Sequence, residues 1–600
     1  MEVYKVIRDS VHGNIELERS FVENILDTQY FQRLRRIEQT SVRAIYPCAR
    51  HDRFTHSLGV YHVGTKIVDQ LKPQVLRIAG FNSTQVEIIT KSYLIACLLH
   101  DIAHAPFSHT FEAYYGDVSV LYTKLCDKLK KDLEVNPLDV CEIKQHELAS
   151  AILVADKFKD SIPSPNSLGG DLELVCRMII GAQYSGESNY YQVCNCFIQL
   201  LHGDVDADRL DYACRDVWSS GYKSVSIDIN RVIHAMNIIR YEDSYQLCFN
   251  HNVIGDIRNI MELKRFQSTH IFNHHTIVYD QELLVQAAET MALDYITEDE
   301  HSKQLSNIIC LDAVIGEKTI TNGTNSYNLR LLGDDDLYFL MKQSNNQYFQ
   351  ELSSRTYKRF ALWKSPEEFY KLFPQIDKKI NITDKNFAEQ VEKALMPLKK
   401  ELLDDIGILT REVTYKERDS VDDMLILVHG KPVKYREVCH DIFRDTSKSR
   451  ETEFTYLYIP KPKKIEKIDQ VRDKAIDLVR PIIEELFDAE PSQDVITKIK
   501  EYITKAKCKV DITKTTFTKK EISQIERFCE KLKSKQDSSI NKVAVDILDL
   551  IILLNKEQEE QNEKRESKKR SYIQTRKHAA RIATPDVLDK LNQENNNLNT

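Results

Sequence analysis

The segment His100-Asp101-Ile102-Ala103-His104-Ala105-Pro106-Phe107-Ser108-His109 packs three imidazoles and one carboxylate into ten residues, directly after the apolar run Tyr93–Leu99. Such groups are costly to bury without partners, so their place behind an apolar run calls for chemistry that uses them. An adjacent His-Asp pair following a buried helix suits a metal held between helices. On a continuous helix His100 and His104 would share a face, with Asp101 about 100° round from His100. His56, in Arg53-Phe-Thr-His-Ser-Leu-Gly59, offers a third ligand from another segment.

A carboxylate is the natural fourth donor. Residues 204–216 read Asp-Val-Asp-Ala-Asp-Arg-Leu-Asp-Tyr-Ala-Cys-Arg-Asp. Helix capping and the positive helix end account for Asp204 and Asp206. They do not account for Asp208, Asp211 and Asp216. A helix starting near Asp204 would line Asp208, Tyr212 and Asp216 along one face. Two imidazoles with two carboxylates admit Fe, Mn, Zn or Mg. An ion there would acidify bound water and polarise a phosphoryl oxygen. His104, His109 and His146 could move protons near neutral pH. Arg53, Arg209 and Arg265 could neutralise phosphates.

Helices must position these groups. Helical periodicity dominates residues 20–300, clearest at 88–100, 171–184, 193–216 and 253–298. Residues 4–17 read as a short hairpin or extended arm, and 306–332 as irregular or extended chain. Helical patterns return at 335–375 and 385–405. Residues 424–429 and 452–459 carry the β-branched and aromatic content of strands. Residues 461–467 read as a linker, and 468–490 and 518–556 as amphipathic helices. The polar end after about 557 reads as a partly mobile tail.

Six hundred residues with 42% hydrophobic and 29% charged side chains describe a globular chain with room for more than one domain. A net charge of -8 argues against a surface that binds nucleic acid along its whole extent. Residues 564–581 nevertheless carry eight Lys or Arg against one Glu, a possible contact for nucleic acid or an acidic partner protein. The thirteen cysteines show no repeating spacing, and several, such as Cys97 and Cys176, sit in apolar helical stretches, as reduced thiols do. Cys194-x-Cys196 is too short and isolated for a zinc site. No apolar run reaches the ~18 residues a membrane span needs, and the start lacks an apolar signal region. The expected location is the cytoplasm.

His56, His100-Asp101 and Asp208 resemble the signature of the HD-domain metal phosphohydrolases. Phe31-Gln-Arg-Leu-Arg-Arg-Ile-Glu-Gln39, Arg53 to Val60, His100 to His109 and Val205 to Tyr212 narrow the resemblance to the deoxynucleoside triphosphate (dNTP) triphosphohydrolases. They are most similar to the branch whose animal members add an N-terminal sterile-alpha-motif domain, which is not read in these residues. The resemblance runs from about residue 3 to 300 and more faintly to 460. It implies attack of activated water on the α-phosphorus of a dNTP, releasing a deoxynucleoside and inorganic triphosphate. By matching motifs, His56, His100, Asp101 and Asp208 would hold Fe, Mn or Zn, with Mg accompanying the nucleotide. His109 would protonate the leaving 5′ oxygen, oriented by Glu112, and His104 and His146 would position water or the α-phosphate. Arg53, Arg209 and Arg265 would hold the phosphates. Gln39 and Asp216 would read the 3′-hydroxyl, and Tyr212 would pack against deoxyribose. Arg209 replaces a Lys of the animal enzyme, and Asn273 replaces a sugar-packing Tyr.

The resemblance also implies a nucleotide effector and a homo-oligomer, dimer or tetramer. Asp27, Gln32 and Arg35 match a guanine-reading set. Asp228 and Arg231 match a neighbouring activator pocket in which His251, Val253 and Ile257 replace polar or basic residues. The expected fold is mainly α: an HD-domain helical core at 1–300, a smaller mixed α/β regulatory or oligomerisation lobe at 301–462, a helical extension at 463–556 and a polar tail at 557–600. The expected physiological outcome is depletion of dNTP pools, which would limit DNA synthesis, including that of an invading virus. Two other classes compete: an HD phosphodiesterase or nuclease acting on cyclic dinucleotides or nucleic acid, and a nucleotide-gated binding module.

Overall fold

The computed structural model describes residues 3–163, 167–222, 227–297, 304–374, 387–416, 421–438 and 451–488. The chain divides into two units: Met1–Phe369 with Leu402–Ile465, and Tyr370–Glu401 with Glu466–Thr600. The helix expected at 518–556 and the basic stretch at 564–581 lie outside the described residues.

The first unit is mainly helical. An antiparallel hairpin, β1 (Lys5–Asp9) and β2 (Gly13–Leu17), begins it. Two long helices follow, α1 (Arg53–Val75) and α2 (Ser83–Leu99). Asp52 caps α1 by accepting from the Thr55 N–H at 2.8 Å. Asn82 and Gln85 form a reciprocal capping box on α2. Every residue from Tyr93 to Leu99 is buried, so the end of α2 lies within the core, as a helix apolar on all sides must. Around it stand α3 (Gln145–Lys157), α4 (Leu172–Ile180), α5 (Asn189–His202) and α6 (Ala207–Ser220). Helices α7 (Ile254–Phe266) and α8 (His275–Ala292) follow.

Several sequence expectations need correction. α2 ends at Leu99 with His100 as its C-cap, so His104 lies on the following turn and not one helical turn along. The periodic stretch 193–216 covers two helices parted around Gly203, and the second begins close to the start read near Asp204, with the Asp206 side chain accepting from Arg209 N–H at 2.7 Å as its cap. The pattern at 253–298 likewise divides, with a wide-turn helical segment Gln267–Phe272 between α7 and α8. The helical reading of 20–300 missed a hairpin, β3 (Met236–Tyr241) and β4 (Ser244–Asn250). Residues 306–332 include a regular hairpin, β5 (Glu317–Asn322) and β6 (Asn325–Arg330). Within 335–375, helices α9 (Asp334–Ser344) and α10 (Gln347–Ser354) precede a strand, β7 (Arg359–Ala361).

The later strands join earlier chain. β8 (Leu409–Lys416), β9 (Leu425–Val428), β10 (Lys431–Lys434) and β11 (Glu451–Pro460) complete two sheets. One sheet runs β10-β9-β4-β3, with β9 parallel to β4; the other runs β7-β11-β8 and is antiparallel throughout. In the second unit, α11 (Phe387–Ala394) packs on α12 (Ile468–Asp488) through an apolar face that includes Val391, Val471, Ala475 and Val479.

A buried ion pair secures the second sheet to the helices. Arg359 Nη1 lies 3.0 Å from Glu351 Oε2, both side chains 2% exposed. Glu351 also accepts from the Tyr279 hydroxyl and from Lys358 N–H. Arg359→Met leaves that carboxylate buried without its cation and is expected to cost ~3–5 kcal/mol. A fall in the denaturation midpoint checks this; an unchanged midpoint would show that the pair adds nothing.

Candidate active site

The end of α2, the start of α1 and the first turn of α6 meet at one point. His56 Nε2 lies 2.9 Å from Asp208 Oδ1 and 3.6 Å from Asp101 Oδ2. His100 Nε2 lies 3.4 Å from Asp101 Oδ2 and 3.7 Å from Asp208 Oδ1. The ligand atoms of His56, His100 and Asp208 all fall within 4.8 Å of one another.

The opposite ring nitrogens fix both imidazoles. His56 Nδ1 is 2.7 Å from Asp211 Oδ2, and His100 Nδ1 is 3.0 Å from the Cys97 carbonyl. Each Nε2 therefore faces the carboxylates, and both are buried without an aligned hydrogen bond. This is how a metal-binding imidazole is oriented from behind. Burial opposes a charge on His56, yet Asp208 and Asp211 push its pKa up to about 10. Burial likewise opposes ionisation of Asp101, and Arg53, His100 and His104 hold it well below the carboxylate range. The carboxylates concentrate negative charge that demands a cation, and this set of imidazole nitrogens and carboxylate oxygens fits a divalent metal.

Asp101 joins this cluster to a second one. Its Oδ1 stands 3.4 Å from His104 Nε2, and the His104 ring stacks on His146 at 4.0 Å. Glu112 Oε2 lies 2.5 Å from His146 Nδ1 and 3.2 Å from His109 Nδ1. Burial opposes the charge on Glu112, but the two imidazoles keep it ionised far into acid. His104 is held neutral, first by burial and then by Arg53 and His146. His109 is exposed; Arg53 and His146 oppose a charge on its ring, and Glu112 favours one.

Arg53, 4% exposed, reaches both clusters. Its Nη1 donates to Asp101 Oδ2 at 2.6 Å, its Nε to Ser108 Oγ at 3.1 Å, and its Nη2 lies 3.4 Å from His109 Nε2. Arg53 Nη2 also reaches the Gln39 carbonyl at 3.4 Å, and Gln39 Oε1 is buried and unpaired. Asp216 is buried with its Oδ1 2.7 Å from His51 Nε2. Arg209 pairs with Asp204 at 3.1 Å, Tyr212 is half-buried, and Arg265 stands exposed toward the end of α7. Asn273 serves the sheet: its amide donates to the Thr414 carbonyl at 2.9 Å, and its carbonyl accepts from the Tyr415 and Tyr456 hydroxyls.

The effector-matching residues lie on other segments. Gln32 Oε1 accepts from Arg35 Nε at 2.9 Å, and the Arg35 guanidinium sits 3.5 Å over the Phe54 ring. Asp27 pairs with Lys5 at 3.2 Å. Asp228 caps a short helix by accepting from Arg231 N–H, while Arg231 reaches Asp256 at 3.4 Å. Val253 and Ile257 are core residues.

Sequence reasoning missed Asp211 as a support, although it noted the residue. This fully buried carboxylate receives His12 Nε2 at 2.6 Å, His56 Nδ1, and Arg215 Nε at 2.8 Å; Arg215 in turn binds Asp9 at 2.9 Å. The i, i+4 spacing of Asp211 and Arg215 was the available signal. Lys144 was missed too. Its exposed ammonium stands 3.6 Å from Glu147 Oε1, and the carboxylates of Glu147, Asp208 and Glu112 raise its pKa.

Residues 53–189 match the family model for the HD domain. The chain carries an HD domain. Its matched span includes His56, His100 and Asp101, while Asp208 lies beyond it. An uncharacterised protein of Mycoplasma pneumoniae is 29% identical over 257 residues, 42% of this chain and 52% of that protein. The deoxynucleoside triphosphate triphosphohydrolase SAMHD1 homolog of Dictyostelium discoideum is 28% identical over 308 residues, 50% of this chain and 51% of that protein. The chain thus spans about half the length of these curated relatives. Among solved structures, a phosphohydrolase of Bacteroides thetaiotaomicron is 20% identical with a TM-score of 0.51, covering 76% of this chain and 99% of that one. That likeness supports the fold. No described helix is long and apolar enough to cross a membrane.

Gly59 is required where α1 meets α6, because an added Cβ would stand 1.9 Å from Asp211 Oδ1 and 2.4 Å from Arg215 Nη2. Gly59→Ala is expected to cost ~1–3 kcal/mol through overpacking. Asp211→Asn should weaken Mn(II) binding by ~10–100-fold with the helical circular dichroism retained. Calorimetric titration with Mn(II) checks the latter, and unchanged affinity would remove Asp211 from the support of His56.

Proposed function

We propose that the protein is a metal-dependent dNTP triphosphohydrolase. The observation that carries this reading is Asp101, which touches the cation-demanding cluster through Oδ2 and the His-Glu cluster through Oδ1. A cation site directly beside a proton-transfer site is what hydrolysis of a phosphoester needs. A divalent ion held by His56, His100, Asp101 and Asp208 would acidify water and polarise a phosphoryl oxygen. Similarity to dNTP triphosphohydrolases over half the chain supports the choice of substrate.

In the proposed reaction, a water oxygen bonds to the α-phosphorus, its proton passes to bulk water, and the bond to the 5′ oxygen breaks. His109 gives its proton to that oxygen, forming the deoxynucleoside hydroxyl, and triphosphate departs. Glu112 holds His109 and His146 by their Nδ1 atoms, which turns Nε2 of each away from the carboxylate; His109 Nε2 meets Arg53 Nη2 at 3.4 Å, a contact the substrate would displace. His104 and His146 position water or the α-phosphate. Arg53, Arg209, Arg265 and Lys144 neutralise phosphates, and Mg accompanies the nucleotide. Gln39 and Asp216 read the 3′-hydroxyl, and Tyr212 packs against the sugar. A nucleotide effector acts through Asp27, Gln32 and Arg35, with Asp228 and Arg231 in a second pocket of a homo-oligomer. Arg35 stacks on Phe54, next to Arg53, so an effector drawing on Arg35 would bear on the phosphate site. The outcome is lowered dNTP pools, a condition hostile to viral DNA synthesis.

Incubation with each dNTP, singly and in mixtures, followed by separation of products, tests this. Deoxynucleoside and triphosphate are expected, and activity confined to mixtures would reveal the effector. His109→Ala should lower turnover by ~10²–10⁴-fold. Asp208→Ala should abolish it while the helical content remains. Release of pyrophosphate with a monophosphate, or of no product at all, would overturn the reading in favour of a phosphodiesterase or a binding module.

A further inference from the structure

Buried Arg33 and half-buried Asp334 take no part in the chemistry above, yet both hold the loop that carries it. Arg33 Nη2 donates to the His104 carbonyl at 2.7 Å, Nη1 to the Ile102 carbonyl at 3.4 Å, and Nε to the Leu332 carbonyl at 2.8 Å. Asp334 Oδ1 accepts from Phe107 N–H at 2.6 Å, and Oδ2 accepts from Glu38 N–H at 2.8 Å. The Glu38 carbonyl accepts from the Ser108 hydroxyl, and Ser108 Oγ accepts from Arg53. Segment 332–334 thus grips the loop 102–108 from two points, although it lies far beyond the residues matched to the HD domain.

The loop needs this grip. Phe107 and Ser108 are both left-handed, with φ of 55° and 53°. Non-glycine side chains rarely adopt that conformation unless neighbours enforce it. His109 follows immediately, so its aim at Glu112 and Arg53 depends on both residues. Asp334 opens α9 but does not cap it; Asp336 fills that need by accepting from Gly333 N–H at 2.8 Å. Both Asp334 oxygens instead reach to other segments.

We propose that Asp334 is a positioning residue for hydrolysis: it fixes the Phe107-Ser108 turn, and through it His109, from outside the HD domain. This rests on the function proposed above. The ligands His56, His100, Asp101 and Asp208 all lie off this turn, and Arg53 keeps its bond to Asp101 whatever Phe107 does, so the effect falls on proton transfer and not on metal binding.

The test compares the full chain with Asp334→Ala, Asp334→Asn and the exposed control Asp335→Asn. Asp334→Ala should lower kcat by ~10–100-fold through misplacement of His109, with KM within about twofold. Asp334→Asn, which keeps one acceptor oxygen, should fall between. Mn(II) affinity should remain within about threefold in every variant, since the removed contact is not among the ligands. Amide exchange at Glu38 and Phe107 should rise by ~10-fold or more in Asp334→Ala while exchange in α6 stays unchanged. Asp335→Asn should behave as the wild type. Undiminished kcat in Asp334→Ala would overturn the proposal, as would parallel loss of kcat, Mn(II) binding and α6 protection, which marks a general structural role. A wild type that releases no triphosphate would sink the functional reading alone; the exchange data would then decide the grip, and unchanged Phe107 protection would refute it.

Discussion

A carboxylate withdrawn from water must find positive charge, and that constraint organises the middle of this molecule. Asp101, Asp208 and Asp211 are each held as anions against burial by neighbouring imidazoles and guanidinium groups. Asp211 is satisfied by His12, His56 and Arg215, and this satisfaction turns His56 so that its Nε2 joins Asp101 and Asp208. The remaining demand for charge lies where a divalent ion fits. The same electrostatics thus secures α1 to α6 and creates the cation site. The close contact at Gly59 follows from it, since the Asp211-Arg215 pair occupies the space a side chain would take.

The geometry of the neighbouring cluster rests on a loop that local preference alone would not maintain. Phe107 and Ser108 hold a conformation unfavourable for their type, and their support comes from residue 38 on one side and residue 334 on the other. A matching HD domain supplies the imidazoles, while chain far downstream supplies the restraint. The β9 strand pairing beside β4, and Asn273 bound to Thr414, join later chain to earlier chain in the same manner. Within the first unit, described chain from 304–369 and 402–465 is therefore woven into the helices at several points.

Much of the candidate site was legible because its chemistry is concentrated. His100-Asp101 and Asp208 announce themselves by clustering ionisable groups beside apolar runs, and the apolar run Tyr93–Leu99 correctly marks a buried helix end. Other features were hidden. Periodicity carried His104 along a continuing helix, because nothing in Ile102-Ala103 forbids one; packing ended the helix at Leu99. Periodicity alone ran through α5 and α6 as one stretch, and the start of α6 was legible only from the capping chemistry of Asp204 and Asp206. Strands β3 and β4 escaped because half-buried alternation over six or seven residues resembles an amphipathic helix at short range.

Residue types alone determined that this chain holds a mixed imidazole-carboxylate set suited to a divalent cation, mounted on helices, with proton-transfer groups close in sequence. Those properties follow from side-chain chemistry and from spacing within single segments. Tertiary structure decided which carboxylate faces the two Nε2 atoms and which stands behind His56: Asp208 and Asp211 differ by three positions on one helix, and only the neighbours brought by α1 and the β1–β2 hairpin distinguish them. It also decided that Lys144, Arg33 and Asp334 bear on the site. Their partners stand tens to hundreds of residues away, and no local pattern encodes a contact whose strength comes from the low dielectric that folding itself creates.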